Sequence, residues 1–170
     1  MLLASLPADA RVWFFVSNRT LTDGERADVL SQAHSFLGEW TSHGRPVHGE
    51  AELLHGGVLV VGARIVEDEL NTDVSGCGID ALSHTVEAIA ANLKFGWTEA
   101  LEVLYYDADD VLQTISRSEF RRRAIEGAVT SESLVLDFSL TSVGELRTHG
   151  IKRLVADSWH GGLLRLALPT

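Results

Sequence analysis

The alternation of apolar and polar segments along the chain predicts a sheet with helices packed on it. Val12–Val16 is apolar on both faces, which is typical of a strand flanked by neighbours in the middle of a sheet. A helix follows. Thr22 and Glu25 have the spacing of a capping box at its start, and we expect the chain to leave the helix at Gly44. Its predicted buried stripe consists of apolar residues at helical spacing: Val29, Ala33, Phe36, Leu37 and Trp40.

The next segment predicts a hairpin. Val47–Leu54 mixes apolar and polar residues, and a turn at residues 55–57 leads into the strongly apolar run Val58–Ile65. The mixed strand is typical of a sheet edge, whereas the apolar strand is typical of a sheet centre.

A second helix is predicted to begin around Cys77 and to close near Gly96, followed by a half-exposed strand at Leu101–Tyr106. Its apolar stripe consists of Ile79, Leu82, Val86, Ile89 and Leu93. The order strand, helix, strand, strand, helix, strand indicates the α+β class. It predicts a ferredoxin-like split βαβ (βαββαβ) antiparallel sheet in which the strands lie in the order 4-1-3-2.

The last third of the chain is predicted to be a C-terminal α/β elaboration of this sheet. It contains an extended piece (Val111–Ile115), a helix opened by Ser116, an apolar run (Leu134–Leu136) and a short helix near residues 142–147. Because no repeat or linker divides the chain, we predict a single domain over residues 1–170, with its core at about 10–107 and the elaboration at about 108–170. Such additions cover an open sheet face or build a pocket against it.

Composition narrows the functional classes. The chain has 24 acidic and 14 basic residues and a net charge of −10, so we expect no nucleic-acid partner. A single cysteine excludes an internal disulfide and indicates a reducing compartment. The first residues have no basic region, and their apolar run is too short for export or for spanning a membrane. We therefore predict a cytoplasmic protein with no membrane partner.

The segment Ser75–Asp80 places a glycine-flanked thiol at the start of the second helix. Gly76 and Gly78 allow a close approach, and a helix N-terminus lowers a thiol pKa, so Ser75 and the two glycines are candidate ligand-binding residues.

Cys77, Asp80, His84 and Glu87 fall on one face of this helix, opposite the apolar stripe. One hypothesis is a catalytic thiol, with His84 or the distant His160 as its base and Asp80 orienting that base. The alternative is a solvated polar face with an inert cysteine.

Two further segments carry candidate binding residues. Asn18 and Arg19, just past the first strand, are placed to bind an anion, although Arg19 has nearby acids with which to pair. Trp159 and His160 precede two glycines, and in a flexible tail they would close over a pocket; alternatively, Trp159 fills the core of the elaboration. The histidines do not have the spacing of a zinc site, so we expect no metal.

Three ordered segments together carry a resemblance that spans nearly the whole chain. Ser17-Asn18-Arg19, Ser75–Asp80 and the closing residues 157–160 (Asp-Ser-Trp-His) resemble a family of short bacterial proteins often labelled ABC transporter ATPase. The family has no established activity to carry over, and this chain has Asp137-Phe138 where the family tends to have paired asparagines. The chain also has no G-x-x-x-x-G-K-[ST] phosphate loop, so we do not expect an ATPase.

Two functions remain open at the level of sequence. In the first, the protein is a regulatory or interaction module that binds a small or anionic ligand or forms a homodimer, with no cofactor. In the second, it is a thiol-dependent enzyme or redox sensor that uses Cys77 with His84 or His160. The reactivity of Cys77 distinguishes them.

Overall fold

A computed structural model describes residues 1–66, 72–99 and 101–167 of the chain. These residues form two compact units: Met1–Thr98 with Thr141–Thr148, and Glu99–Leu140 with His149–Thr170. Each unit has its own four-stranded sheet. The single-domain organisation stays a prediction.

The first unit is built on an antiparallel sheet in the order β1-β4-β3-β2, with two long helices and most of a short one. Its elements are β1 (Arg11–Val16), α1 (Asp23–Glu39), β2 (Thr41–Ser42), β3 (Arg45–Leu54), β4 (Val58–Ile65), α2 (Gly76–Leu93) and α4 (Val143–His149). The two long helices pack their apolar stripes on one face of the sheet, where residues such as Val29, Leu82 and Leu59 are fully buried.

The α+β class is confirmed, and the two antiparallel sheets and five helices of the described residues are compatible with a ferredoxin-like fold. The pairing of the first three predicted strands is also confirmed, since the apolar run Val58–Ile65 lies between β1 and β3. The predicted strand order is wrong in one respect. The fourth strand, at Glu102–Tyr106, belongs to the second sheet, where it forms a local hairpin, so β1 lies at the end of its sheet and not in its middle.

Helix α1 begins as its sequence predicts. Thr22 accepts a hydrogen bond from the amide of Glu25, and the Glu25 carboxylate accepts one from the amide of Thr22, which completes the capping box. The helix ends at Glu39 and not at Gly44. Gly44 instead follows His43 in the tight turn between β2 and β3, where both residues have positive φ.

The opposite face of the first sheet is covered by the N-terminal segment and by α4. Gly62 of β4 permits this contact, because a Cβ there would lie 2.6 Å from a methyl group of Leu3 and 2.7 Å from one of Leu6. The Glu52 carboxylate accepts the Leu3 amide, and Arg147 donates to the carbonyls of Leu2, Leu3 and Leu6. The first residues of the chain are therefore an integral part of this unit.

The second unit has a sheet in the order β6-β5-β7-β8, and its helices α3 and α5 pack against each other. Its elements are β5 (Glu102–Tyr106), β6 (Leu112–Ser116), α3 (Arg117–Ile125), β7 (Leu134–Leu136), β8 (Lys152–Leu154) and α5 (His160–Ala167). Ser116 caps α3 as predicted. Helix α5 was not predicted, because its start contains two adjacent glycines, which are poor helix formers. Its apolar face is stabilised by packing against α3, which is a tertiary contact.

Candidate functional site

The start of α2 is held by a pair of serines. Ser75 is the N-cap, and its hydroxyl accepts hydrogen bonds from the Gly78 amide at 3.3 Å and from the Ser42 hydroxyl at 2.7 Å. Ser42 in turn accepts the Ser75 amide at 2.9 Å. Because Ser42 is 1% exposed, this exchange ties strand β2 to the helix start beneath the surface.

The two glycines beside Cys77 have different roles. A Cβ on Gly78 would lie 2.6 Å from the Val74 side chain, so close packing leaves no room for a side chain at this position. The Gly78 carbonyl accepts a hydrogen bond from the Trp40 indole. A Cβ on Gly76 would meet nothing. The amides of Gly76 and Cys77 have no hydrogen-bond partner in the described part of the chain, and both residues are exposed.

The polar face of α2 is exposed, as predicted from the helical spacing. Cys77, Asp80 and His84 all lie at the surface. Cys77 and His84 are seven residues apart, which separates them by about 10 Å along the helix axis, too far for a hydrogen bond. His84 therefore does not reach the thiol from within α2. The other hypothesis, in which Cys77 works with His160, combines residues of different units and stays a prediction.

A cavity of about 430 Å³ opens beside the start of α2. It is lined by Ser42 and Ser75, by His43 and Arg45 from the β2–β3 turn, and by Ile65, Asp73 and Val74. The two serines, the cationic Arg45 and the carboxylate of Asp73 give it polar groups of both charges. Of its residues, sequence reasoning identified only Ser75; the others come from strands and turns that are brought there by sheet pairing.

Asn18 and Arg19 have structural partners. The Asn18 side chain accepts the Gly96 amide at 3.2 Å, which fixes the segment after α2 to the end of β1. Arg19 forms two hydrogen bonds, at 2.9 and 2.7 Å, with the carboxylate of Glu25. Arg19 and the capping-box contact with Thr22 lower the pKa of Glu25 to about 2. Of the two interpretations of Arg19, the structure favours pairing with a nearby acid.

Trp159 and His160 open helix α5 and do not form a flexible tail. His160 is 1% exposed and its ring stacks on Trp159 with centroids 4.0 Å apart, while Trp159 itself is 38% exposed. The Ser158 hydroxyl donates to the Val155 carbonyl, so it accepts a hydrogen bond from Nδ1–H of His160 at 3.0 Å. Nε2 then carries the free lone pair, and it has no hydrogen-bond partner among the described residues.

Burial dominates the electrostatics of His160. It lowers the pKa of the imidazole to about 4, against the opposing effect of the Asp137 carboxylate and with a smaller contribution from Arg117. Asp137 is also buried, at 1% exposed, and it is held by Arg153 at 3.0 Å and by the hydroxyl and amide of Ser139. His160 is thus a neutral, buried ring near neutral pH, and Asp137 is a structural ion-pair partner that sequence reasoning did not select.

Within the described ranges, no three histidine, cysteine, aspartate or glutamate side chains are grouped so as to hold a metal ion. Over the same ranges, none of the helices combines the length and apolar character that crossing a bilayer requires.

Comparison with known proteins gives one partial match. No family model matches the chain, and no solved structure matches it. A 5-amino-6-(D-ribitylamino)uracil–L-tyrosine 4-hydroxyphenyl transferase of Haloarcula marismortui is 37% identical over 78 residues. The match covers 46% of this chain and 17% of the transferase, so the chain is similar to a small part of a much longer enzyme.

Proposed function

We propose that the protein is a binding module that holds a small molecule with an anionic group in the cavity beside the start of α2. The observation that carries this proposal is the cavity itself, with Ser42 and Ser75 in its wall at the start of an 18-residue helix. Its volume of about 430 Å³ lies in the range of small-molecule sites.

The surroundings of the cavity favour an anion on physical grounds. The N-terminus of a helix carries partial positive charge and unpaired amides, here those of Gly76 and Cys77. Arg45 adds a full positive charge at the cavity wall, and His43 adds a ring nitrogen. Asp73 supplies an acceptor for a hydroxyl or amine elsewhere on the ligand.

Thiol chemistry is the alternative proposal, and the exposure of Cys77 is the observation in its favour. A thiol-dependent enzyme needs a base within hydrogen-bond reach, and α2 does not bring His84 to that distance. Binding needs no such partner, which is why we prefer it.

The binding proposal is tested by titrating isotope-labelled protein with citrate and with inorganic phosphate at constant ionic strength. We expect saturable shifts of the amide signals of Gly76, Cys77 and Gly78 in nitrogen–proton correlation spectra with at least one of the two anions. Arg45→Gln should weaken binding about tenfold, because it removes a charge-assisted hydrogen bond.

Two controls separate the alternatives. Arg26→Gln removes a charge from α1, outside the residues that line the cavity, and should leave the titration unchanged. Cys77→Ser should also preserve binding, whereas a function based on the thiol would lose its activity with this change. Absence of saturable shifts at the α2 amides with both anions would contradict the proposal.

A further inference from the structure

Three arginines of the second unit stand out because they have no acidic partner in a chain with an excess of acids. In the described part of the chain, six arginines form ion pairs with carboxylates, and Arg26 and Arg147 donate to backbone carbonyls. Arg117, Arg121 and Arg165 form neither kind of contact within the same ranges. The chain has 24 acidic residues, so the absence of an acidic partner for these three arginines needs a physical explanation.

Arg117 and Arg121 lie one turn apart on α3, so their side chains share one side of the helix. The Nε atoms of both are buried and have no hydrogen-bond partner. Phe120, between them in sequence, contacts the ring of His160 at a centroid distance of 6.1 Å, which places this part of α3 beside the start of α5. Burying a donor without an acceptor is unfavourable, so nothing in the described residues offsets the cost of placing these two guanidinium groups here.

Arg165 approaches the same region from α5. Its two terminal nitrogens lie 3.7 Å from the Cβ position of Gly161 and 3.9 Å from that of Gly162. The side chain therefore folds back along the helix toward its first turn, where Trp159 and His160 lie.

Trp159 is the centre of this arrangement. The guanidinium of Arg117 lies over its ring at 4.9 Å from the centroid, and His160 stacks on it. More than a third of the Trp159 surface is still exposed. An aromatic surface beside unpaired guanidinium groups is suited to a ligand that has both a phosphate and a less polar part.

We propose that α3 and α5 form a second binding site, at which Arg117, Arg121 and Arg165 hold the phosphate of a small phosphorylated molecule and Trp159 contacts the rest of it. Guanidinium groups match phosphate oxygens in pairs, and several of them together offset the charge of a dianion. The site lies within the second unit and is independent of the cavity beside α2, so each proposal can fail without the other.

The test is a titration of the full chain with inorganic pyrophosphate and, separately, with ribose 5-phosphate, at an ionic strength kept constant with potassium chloride. The readout is the Nε–Hε signals of the arginines, because buried Nε–H groups exchange slowly enough to be observed. We expect saturable shifts for Arg117 and Arg121, and binding weakened about tenfold in Arg117→Gln and in Arg165→Gln. Tighter binding of ribose 5-phosphate than of pyrophosphate would support the contact between Trp159 and the rest of the molecule, and the reverse order would contradict it.

Arg122→Gln is the matched control, since Arg122 lies on the same helix but pairs with Glu119 and Glu126. It removes the same charge and should not change either titration. Equal weakening in Arg122→Gln, or shifts that grow with the anion concentration without saturating, would overturn the proposal in favour of general charge screening. Arg165 is exposed, so its variant tests the site even where Arg117→Gln disturbs the packing.

Discussion

At the scale of single residues, His160 shows how environment decides the chemistry of a side chain. In the sequence it precedes two glycines, a context that favours a mobile base. In the structure its ring is buried between Phe120 and Trp159, with Nδ1–H held by Ser158. Burial penalises the charged imidazolium, so the ring stays neutral and contributes packing as well as polarity.

The lowered pKa of His160 predicts a pH-dependent stability. The unfolded imidazole titrates at its ordinary value of 6.5 and the folded one at about 4, so the unfolded state binds the proton more readily. The neutral His160 ring therefore contributes its full stabilisation to the folded state above the unfolded pKa, and this stabilisation is lost as pH falls toward the folded pKa. We expect the free energy of unfolding to fall by about 2 kcal/mol between about pH 7 and about pH 4.5.

Urea unfolding followed across this pH range measures the effect. His160→Gln should remove the pH-dependent part while lowering stability at neutral pH. The carboxylates with lowered pKa, Glu25, Glu119 and Asp107, lose most of their contribution below the ordinary glutamate pKa of 4.5, and the comparison with His160→Gln separates the part that begins above it. An identical pH profile in His160→Gln would show that this ring does not determine the dependence.

At the scale of elements, helix starts are encoded locally. Thr22, Ser75 and Ser116 each accept a hydrogen bond from the amide three residues on, and for Thr22 and Ser116 the glutamate at that position signals the cap in the sequence. Helix ends were less predictable, as α1 stops well before Gly44. After its last turn the chain enters β2, which forms a short hairpin with β3 through the turn at His43 and Gly44.

The N-cap of α2 gives a prediction at this scale. Ser75→Ala removes the acceptor for both the Gly78 amide and the Ser42 hydroxyl, and we expect it to lower the free energy of unfolding by about 1–2 kcal/mol. Ser75→Asp keeps an acceptor at the same place and should recover most of this loss. Thermal and urea unfolding of the two variants provide the comparison, and equal destabilisation by alanine and aspartate would contradict the capping role.

At the scale of the whole molecule, contacts between distant parts of the chain complete the first unit. Arg147 donates to three carbonyls of the N-terminal segment, more than 140 residues away in sequence, and Glu50 and Glu52 accept amides of the same segment. The segment thereby covers the face of the sheet at Gly62. The sheet of the first unit is thus covered on both faces.

Arg147→Met tests how much the contact between Arg147 and the N-terminal segment stabilises the first unit. Methionine keeps an unbranched apolar stem but leaves partly buried carbonyls without a donor, so we expect a loss of about 1–3 kcal/mol in the free energy of unfolding. Hydrogen exchange should show faster exchange at the amides of Leu3 and Ser5. Arg26→Met, which removes one 3.4 Å hydrogen bond to a carbonyl, is the control and should have a smaller effect.

The sequence by itself determined the elements whose signals are local: the apolar strand Val58–Ile65, the stripes of α1 and α2, the N-caps of α1 and α3 and the exposed face with Cys77. Periodicity and capping act within a few residues, so they can be read without the fold. Only the tertiary structure decided that Glu102–Tyr106 joins a second sheet, that His160 is buried and that Ser42, Arg45 and Ser75 line one cavity. These depend on strand pairing and helix packing across long sequence separations, whose energies no local pattern records.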